Sequence, residues 1–208
     1  MRLGIFGGTF DPPHWGHLHL AETAVRQLRL DRVLWVLTAD PPHKQGQAIS
    51  PVQDRLDMVL AAIAGQSDYE LSRVEIDRPG PHWAADTVRL LAEHNPGAKL
   101  VYLMGGDSLH DLPKWVRPQA FLEHCSLGVL RRPGDAIDLP ALERKLPGLT
   151  AKVEFVQATP LDIASHEIRR RARQHLALEG LVPGPVALII ESRNLYNAES
   201  ENNVMGCS

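Results

Sequence analysis

The feature that most restricts this chain is its regular switching between short apolar runs rich in β-branched residues and stretches with helical periodicity. LGIF (residues 3–6) and RVLWVLTA (32–39) lack the polar alternation of a strand with one wet face, so they read as strands buried on both faces of a parallel sheet. Between them, over residues 17–30, Leu18, Ala21, Val25 and Leu28 recur at helical spacing and leave Glu22, Arg26 and Arg29 for solvent. Together these segments make a β-α-β unit, whose crossover is right-handed. Further on, Ser50 as N-cap and Pro51 in the first turn open a helix to about Ala64. A strand over 69–76, a helix over 84–94 and a strand over 99–105 follow. Two short helical pieces, 107–115 and 119–124, precede a strand at 126–132, a helix at 139–146, a strand at 152–159 and a helix at 166–180. Residues 185–196 fit a buried helix or a strand, with helix preferred.

No segment repeats with a period of 20 to 50 residues, and proline and glycine fall between elements rather than in one linker. The expectation is a single domain over 1–196, with a polar, disordered tail over 197–208. The alternation specifies a doubly wound parallel α/β sheet in three layers, Rossmann-like, whose ligand crevice lies beyond the carboxyl ends of the strands.

The formal net charge of -3 over 208 residues gives no electrostatic reason for a nucleic-acid or anionic-membrane partner, so any phosphate site must be local. Cys125 and Cys207 are far apart and make no metal knuckle or disulfide framework. With no leader pattern and no apolar run of membrane-spanning length, the chain is expected to be cytoplasmic, with small-molecule substrates. Its oligomeric state stays open, a homo-oligomer included.

The first strand ends in GGTFDPPHWGH, residues 7–17. Gly7 and Gly8 let backbone N–H groups approach a ligand with no Cβ in the way, and the positive end of the next helix, expected to begin near His17, faces the same spot. This is an anion site. It lacks both the GxGxxG spacing of a dinucleotide fold and the GK[ST] of a phosphate-binding P-loop, which disfavours a nicotinamide-dependent dehydrogenase. His14 and His17, three residues apart, can both aim at one phosphate as donors, and they do not have the spacing of a zinc-binding helix.

That stretch resembles the nucleotidyltransferase signature GxFDPxHxGH, and in its full wording it is similar to the bacterial nicotinate-nucleotide adenylyltransferase family. Other segments resemble family motifs in the same order: PPHK with Lys44, RLDMVLAAI, MGGDSLHDLPKW, LDIASHEIRRR and VPGPVALIIESRNLY. Two departures stand out: His82-Trp83-Ala84 occupies the place of S-Y-T, and IAS with His166 that of a longer serine motif. The first touches the pyridine pocket and bears on the preference between acid and amide mononucleotides.

The resemblance implies transfer of the adenylyl group of ATP to nicotinate mononucleotide, giving deamido-NAD and pyrophosphate, with Mg²⁺ held mainly by the ATP phosphates. It implies that Gly7, Gly8, Thr9, Phe10, His14, His17, Gly105, Asp107, Ser165 and Arg169 bind ATP, and that His14, His17, Lys44 and Arg169 serve the transfer. Trp83, Thr87 and Trp115 fall to the acceptor. Local chemistry offers plainer readings beside these. One of His14 and His17 could cap the helix or pack against Trp15, Ser165 and Asp107 could simply cap helices, Lys44 could be a solvated loop cation, and Trp115 could be core. The rival functions are adenylyl transfer to nicotinamide mononucleotide or phosphopantetheine, and a regulatory module that binds ATP without turning it over.

Overall fold

The computed structural model of the chain describes residues 1–40, 49–131, 136–159 and 161–197. Six parallel strands, β1 (Arg2–Gly8), β2 (Arg32–Leu37), β3 (Tyr69–Ser72), β4 (Lys99–Gly105), β5 (Cys125–Arg131) and β6 (Val153–Gln157), form one sheet in the order β3-β2-β1-β4-β5-β6. Every neighbouring pair is parallel. The helices are α1 (Trp15–Leu28), α2 (Val52–Ile63), α3 (Ala84–His94), α4 (Gly106–Asp111), α5 (Pro118–His124), α6 (Leu139–Lys145), α7 (Ser165–Arg173) and α8 (Gly184–Ser192).

Side chains two apart along a strand share a face, and both faces here are covered. Leu3, Ile5, Leu34, Val36, Leu127 and Val129 pack with α3, α5 and α6 residues such as Val88, Phe121 and Leu142. Phe6, Val33, Trp35, Leu37, Val101 and Leu103 pack on the other side with Ala21, Leu28 and Val59 of α1 and α2. A satellite cluster joins Met58 and Ala62 of α2 to Ile168 of α7 and to Val186, Ile190, Leu195 and Tyr196. Helix α1 lies so close to the sheet that a Cβ on Gly128 would sit 2.6 Å from Leu28 Cδ1 and 2.7 Å from Leu103 Cδ2. No helix among the described residues is long and apolar enough to cross a membrane.

Several boundaries differ from those read off the sequence, each for a local reason. Helix α1 begins at Trp15, before His17, because His14 is its N-cap. Helix α2 begins at Val52 with Pro51 at the N-cap; Ser50 is instead tied by its N–H to Asp11 Oδ2 at 3.2 Å. Strand β3 stops at Ser72 because the chain turns there, the Arg73 carbonyl accepting from the N–H groups of Ile76 and Asp77. Helix α7 ends at Arg173 rather than near residue 180, with His175 in the left-handed region at φ 53° and Leu176 N–H closing on the Arg171 carbonyl. The segment 185–196 is helical as far as Ser192. Lys44 and the tail beyond Asn197 lie outside the described residues.

Candidate active site

The strand order reverses between β1 and β4, and splaying of the chain at such a point opens a crevice at the carboxyl ends. A cleft of about 870 Å³ lies there. Its near wall is the β1 exit, Gly7 to Phe10, with His17 of α1 and Thr38 beyond β2. Gly105 and Asp107 border it at the start of α4, and Glu75, His82, Trp83, Ala84 and Trp115 line its other side.

The turn after β1 is held from elements far away in sequence. Asp11 is buried; its Oδ1 accepts from the Tyr196 hydroxyl at 2.9 Å, and the Asp11 carbonyl accepts from Arg169 Nη1 at 2.8 Å. Ser165 Oγ donates to the Pro12 carbonyl at 3.0 Å, and Trp15 N–H to the Leu181 carbonyl at 3.0 Å. Beneath the turn Arg55 is 2% exposed. Its guanidinium donates to the carbonyls of Thr9 at 3.0 Å, Thr38 at 2.7 Å, Ala39 at 3.0 Å and Ser50 at 2.9 Å. Burial pulls the Arg55 guanidinium down from its ordinary value, and the Asp11 carboxylate opposes that pull. A buried cation of this kind persists only when its donors are satisfied. Here they clamp both sheet-end loops together.

Phe10 adopts φ 47°, unusual for a bulky residue, and so turns its ring inward against Trp35 (centroids 5.1 Å apart) and His17 (5.2 Å). Gly8 has no room for a side chain, since a Cβ would lie 2.8 Å from the Phe10 ring. The same economy applies at Gly16, where a Cβ would meet His14 Nδ1 at 2.9 Å.

His14 and His17 stack with ring centroids 3.7 Å apart. They are not equivalent. His17 lines the cleft, whereas His14 lies buried beneath it, and burial pushes its imidazole down to about 4. His17 Nδ1 accepts from the His14 backbone N–H at 3.2 Å. That bond requires an unprotonated Nδ1, which puts the proton of a neutral ring on Nε2 as a donor.

Of the residues expected at the site, Gly7, Gly8, Thr9, Phe10, His17, Trp83, Gly105, Asp107 and Trp115 meet around one cleft. His14, Ser165 and Arg169 stand a layer behind. Ser165 is the first residue of α7, not its cap, and Arg169 contacts the backbone of the turn. Thr87 is 1% exposed and sits behind the wall at Trp83. Asp11, Arg55 and Tyr196 stand in segments that resemble family motifs but carry no assigned role in the sequence, and Glu75 lies outside those segments. Arg55 had a signal, a charge beside Leu56 and four residues before Val59 on an inward-facing helix stripe. Tyr196 had one in the closing motif, though its partner is set by the tertiary fold, and Glu75 had none.

Among the described residues no three His, Cys, Asp or Glu side chains are grouped to cage a metal ion. The carboxylates along the cleft are Glu75, Asp107 and Asp111.

Residues 5–171 match the model of the cytidylyltransferase-like family. A protein of Thermomicrobium roseum named "Probable nicotinate-nucleotide adenylyltransferase" is 42% identical over 195 residues, covering 94% of this chain and 91% of its own length. A protein of the same name from a Roseiflexus species is 41% identical, covering 93% of this chain and 97% of its own. Among solved structures, Plasmodium falciparum nicotinic acid mononucleotide adenylyltransferase complexed with NaAD shares the fold, with a TM-score of 0.76 at 17% identity over 94% of this chain and 97% of that one.

Proposed function

We propose that this chain, which belongs to the cytidylyltransferase-like family and within it to the nicotinate-nucleotide adenylyltransferases, transfers the adenylyl group of ATP to nicotinate mononucleotide. A phosphate oxygen of the mononucleotide attacks the α-phosphorus of ATP, the bond from that phosphorus to the bridging oxygen breaks, and pyrophosphate leaves with the electron pair. The products are deamido-NAD and pyrophosphate, a reaction of NAD biosynthesis.

The observation that carries this reading is the composition of the cleft. A donor-rich turn with His17 forms one side, a pair of tryptophans the other, and the strand reversal brings them together. The nucleophile is already anionic at neutral pH, so the site needs no general base; it has to position two anions and offset their charge. Gly7 to Phe10 and the first turn of α1 receive the triphosphate. His17 donates from Nε2, where charge builds on the leaving phosphates. Its ring is fixed by Phe10, by the stack on His14 and by the bond to Nδ1. Arg169 and Ser165 keep the turn in place through its carbonyls, and Lys44 reaches the triphosphate in this reading by resemblance alone. Trp83 and Trp115 stack on the pyridine, whose ring is electron-poor.

The donor set fits a divalent cation, Mg²⁺, that arrives on ATP. It offers isolated carboxylates such as Asp107 rather than a cage, and Mg²⁺ bound to phosphates keeps several waters and needs only one or two carboxylates. Such an ion supplies charge neutralisation along the phosphates.

Pyrophosphate release from ATP, measured with nicotinate mononucleotide, nicotinamide mononucleotide and phosphopantetheine, tests the reading. The expected result is the highest kcat/KM with the nicotinate compound. Equal values for acid and amide overturn the acceptor assignment, and turnover with phosphopantetheine alone reverses it. Binding of ATP with no product from any acceptor makes the chain a regulatory module.

A further inference from the structure

A polar network around buried Glu75 and Thr87 stands behind the tryptophan side of the cleft, and its hydrogen bonds among the described residues run to Arg78, Pro81 and Trp83. Thr87 Oγ1 donates to Glu75 Oε1 at 2.8 Å and lies 3.2 Å from Arg78 Nη2, which donates to it. Arg78 Nη1 donates to the Pro81 carbonyl at 3.2 Å. The Trp83 carbonyl accepts from the N–H groups of Asp86 (3.0 Å) and Thr87 (3.1 Å). Pro81 is thus tied to the Thr87 hydroxyl through Arg78, the same hydroxyl lies 3.3 Å from the Trp83 carbonyl, and it is bonded in turn to one carboxylate. Glu75 is 6% exposed and Thr87 1%. Neutral and charged partners so deep in the protein hold their geometry because a broken bond leaves an uncompensated polar group.

A second observation points from the network toward a ligand. Glu75 Oε2, Arg78 Nε and His82 Nδ1 are all buried without a hydrogen-bond partner among the described residues. Glu75 and His82 both line the cleft. Unpaired buried polar atoms are uncommon and gather at places where a ligand or bound water completes them. On the opposite flank, Arg117 Nη2 bonds Asp86 Oδ2 at 2.5 Å, linking the start of α3 to the chain just beyond Trp115. Both tryptophans are therefore referred to the same helix end.

We infer that Glu75, Arg78 and Thr87 are positioning residues for the mononucleotide acceptor: they hold the His82–Ala84 wall at its distance from Trp115, and so govern affinity for the acceptor and not for ATP. The inference rests on the reading of this end of the cleft as the acceptor side.

The test compares Thr87→Val, which keeps the volume and removes the hydroxyl, with Thr87→Ser, which restores it, in steady-state assays varying ATP and nicotinate mononucleotide separately. The expected result for Thr87→Val is a KM for the mononucleotide raised about tenfold, the effect of one buried hydrogen bond, with the KM for ATP within about twofold and near wild-type values in Thr87→Ser. Arg78→Met, at a partly exposed loop position, gives the same split and serves should Thr87→Val not fold. Equal rises in both KM values, or no rise in a folded variant, overturn the inference. A wild-type protein that does not use nicotinate mononucleotide overturns the functional reading itself, which separates the two failures.

Discussion

Two imidazoles stacked 3.7 Å apart repel if both are protonated, and burial settles which one stays neutral. His14 is held down to about 4 by desolvation, so the ring facing the cleft has a neutral platform under it. His17→Ala is predicted to lower kcat by about 10² to 10³, the loss of one preorganised donor, with an unchanged circular-dichroism spectrum and thermal midpoint within a few degrees. Near-normal turnover in that folded variant removes His17 from the transfer. The platform has its own signature. Between pH 6.5 and about 4 the unfolded chain binds a proton at residue 14 that the folded one refuses. Stability therefore rises with pH through this window, is complete above it, and falls on acidification by up to about 3 kcal/mol. Urea unfolding of wild type and His14→Asn across that range should show a shallower pH slope in the variant, Asn being an accepted N-cap. At this scale the glycines and His17 were legible, because their chemistry is local to one turn. The separate fates of His14, Arg55 and Thr87 were not, because each depends on what the tertiary fold stacks over or against it.

The β1-to-α1 turn is shaped less by its own sequence than by elements that reach it from α2, from α7 and from the chain after α8. Tyr196 is the most distant of these, and its hydroxyl is the donor to Oδ1 of the Asp11 carboxylate, whose Oδ2 accepts from Ser50 N–H. Tyr196→Phe leaves Asp11 Oδ1 without that donor and is predicted to cost about 1 to 3 kcal/mol in urea unfolding, with a severalfold loss of turnover as the turn loosens. Unchanged stability and turnover exclude the latch. Element ends were the least legible feature, and the reason is specific. Helix α1 and the helices α7 and α8 close through left-handed residues Arg29, His175 and Asn194, at φ 51°, 53° and 51°. The leucine after each one bonds back five residues. Glycine normally marks such a cap. Arginine or histidine there carries no warning, and the pattern runs on in the sequence past the true end.

Across the whole molecule the decisive fact is topological: six parallel strands change direction of succession between β1 and β4, and the same point receives the glycine turn, the α4 start and the tryptophan wall. The alternation of apolar runs with helical stripes made the layers legible, since strands covered on both faces read as Leu3, Ile5 and Phe6 do, with little polar interruption. The order of the strands and the depth of the cleft were not, because pairing partners are chosen by crossover geometry rather than by any one segment. How tightly the layers close is visible at Gly128, where α1 leaves no room for a methyl group. Gly128→Ala is predicted to destabilise the fold by about 1 to 3 kcal/mol through overpacking, read as a lowered unfolding midpoint, and an unchanged midpoint contradicts that packing. A crystal structure with a non-hydrolysable ATP analogue shows whether the β1-to-α1 corner receives the triphosphate. Phosphate oxygens are expected within hydrogen-bond distance of His17 Nε2 and of the backbone N–H groups after β1; phosphates bound elsewhere on the molecule contradict a phosphate-binding corner.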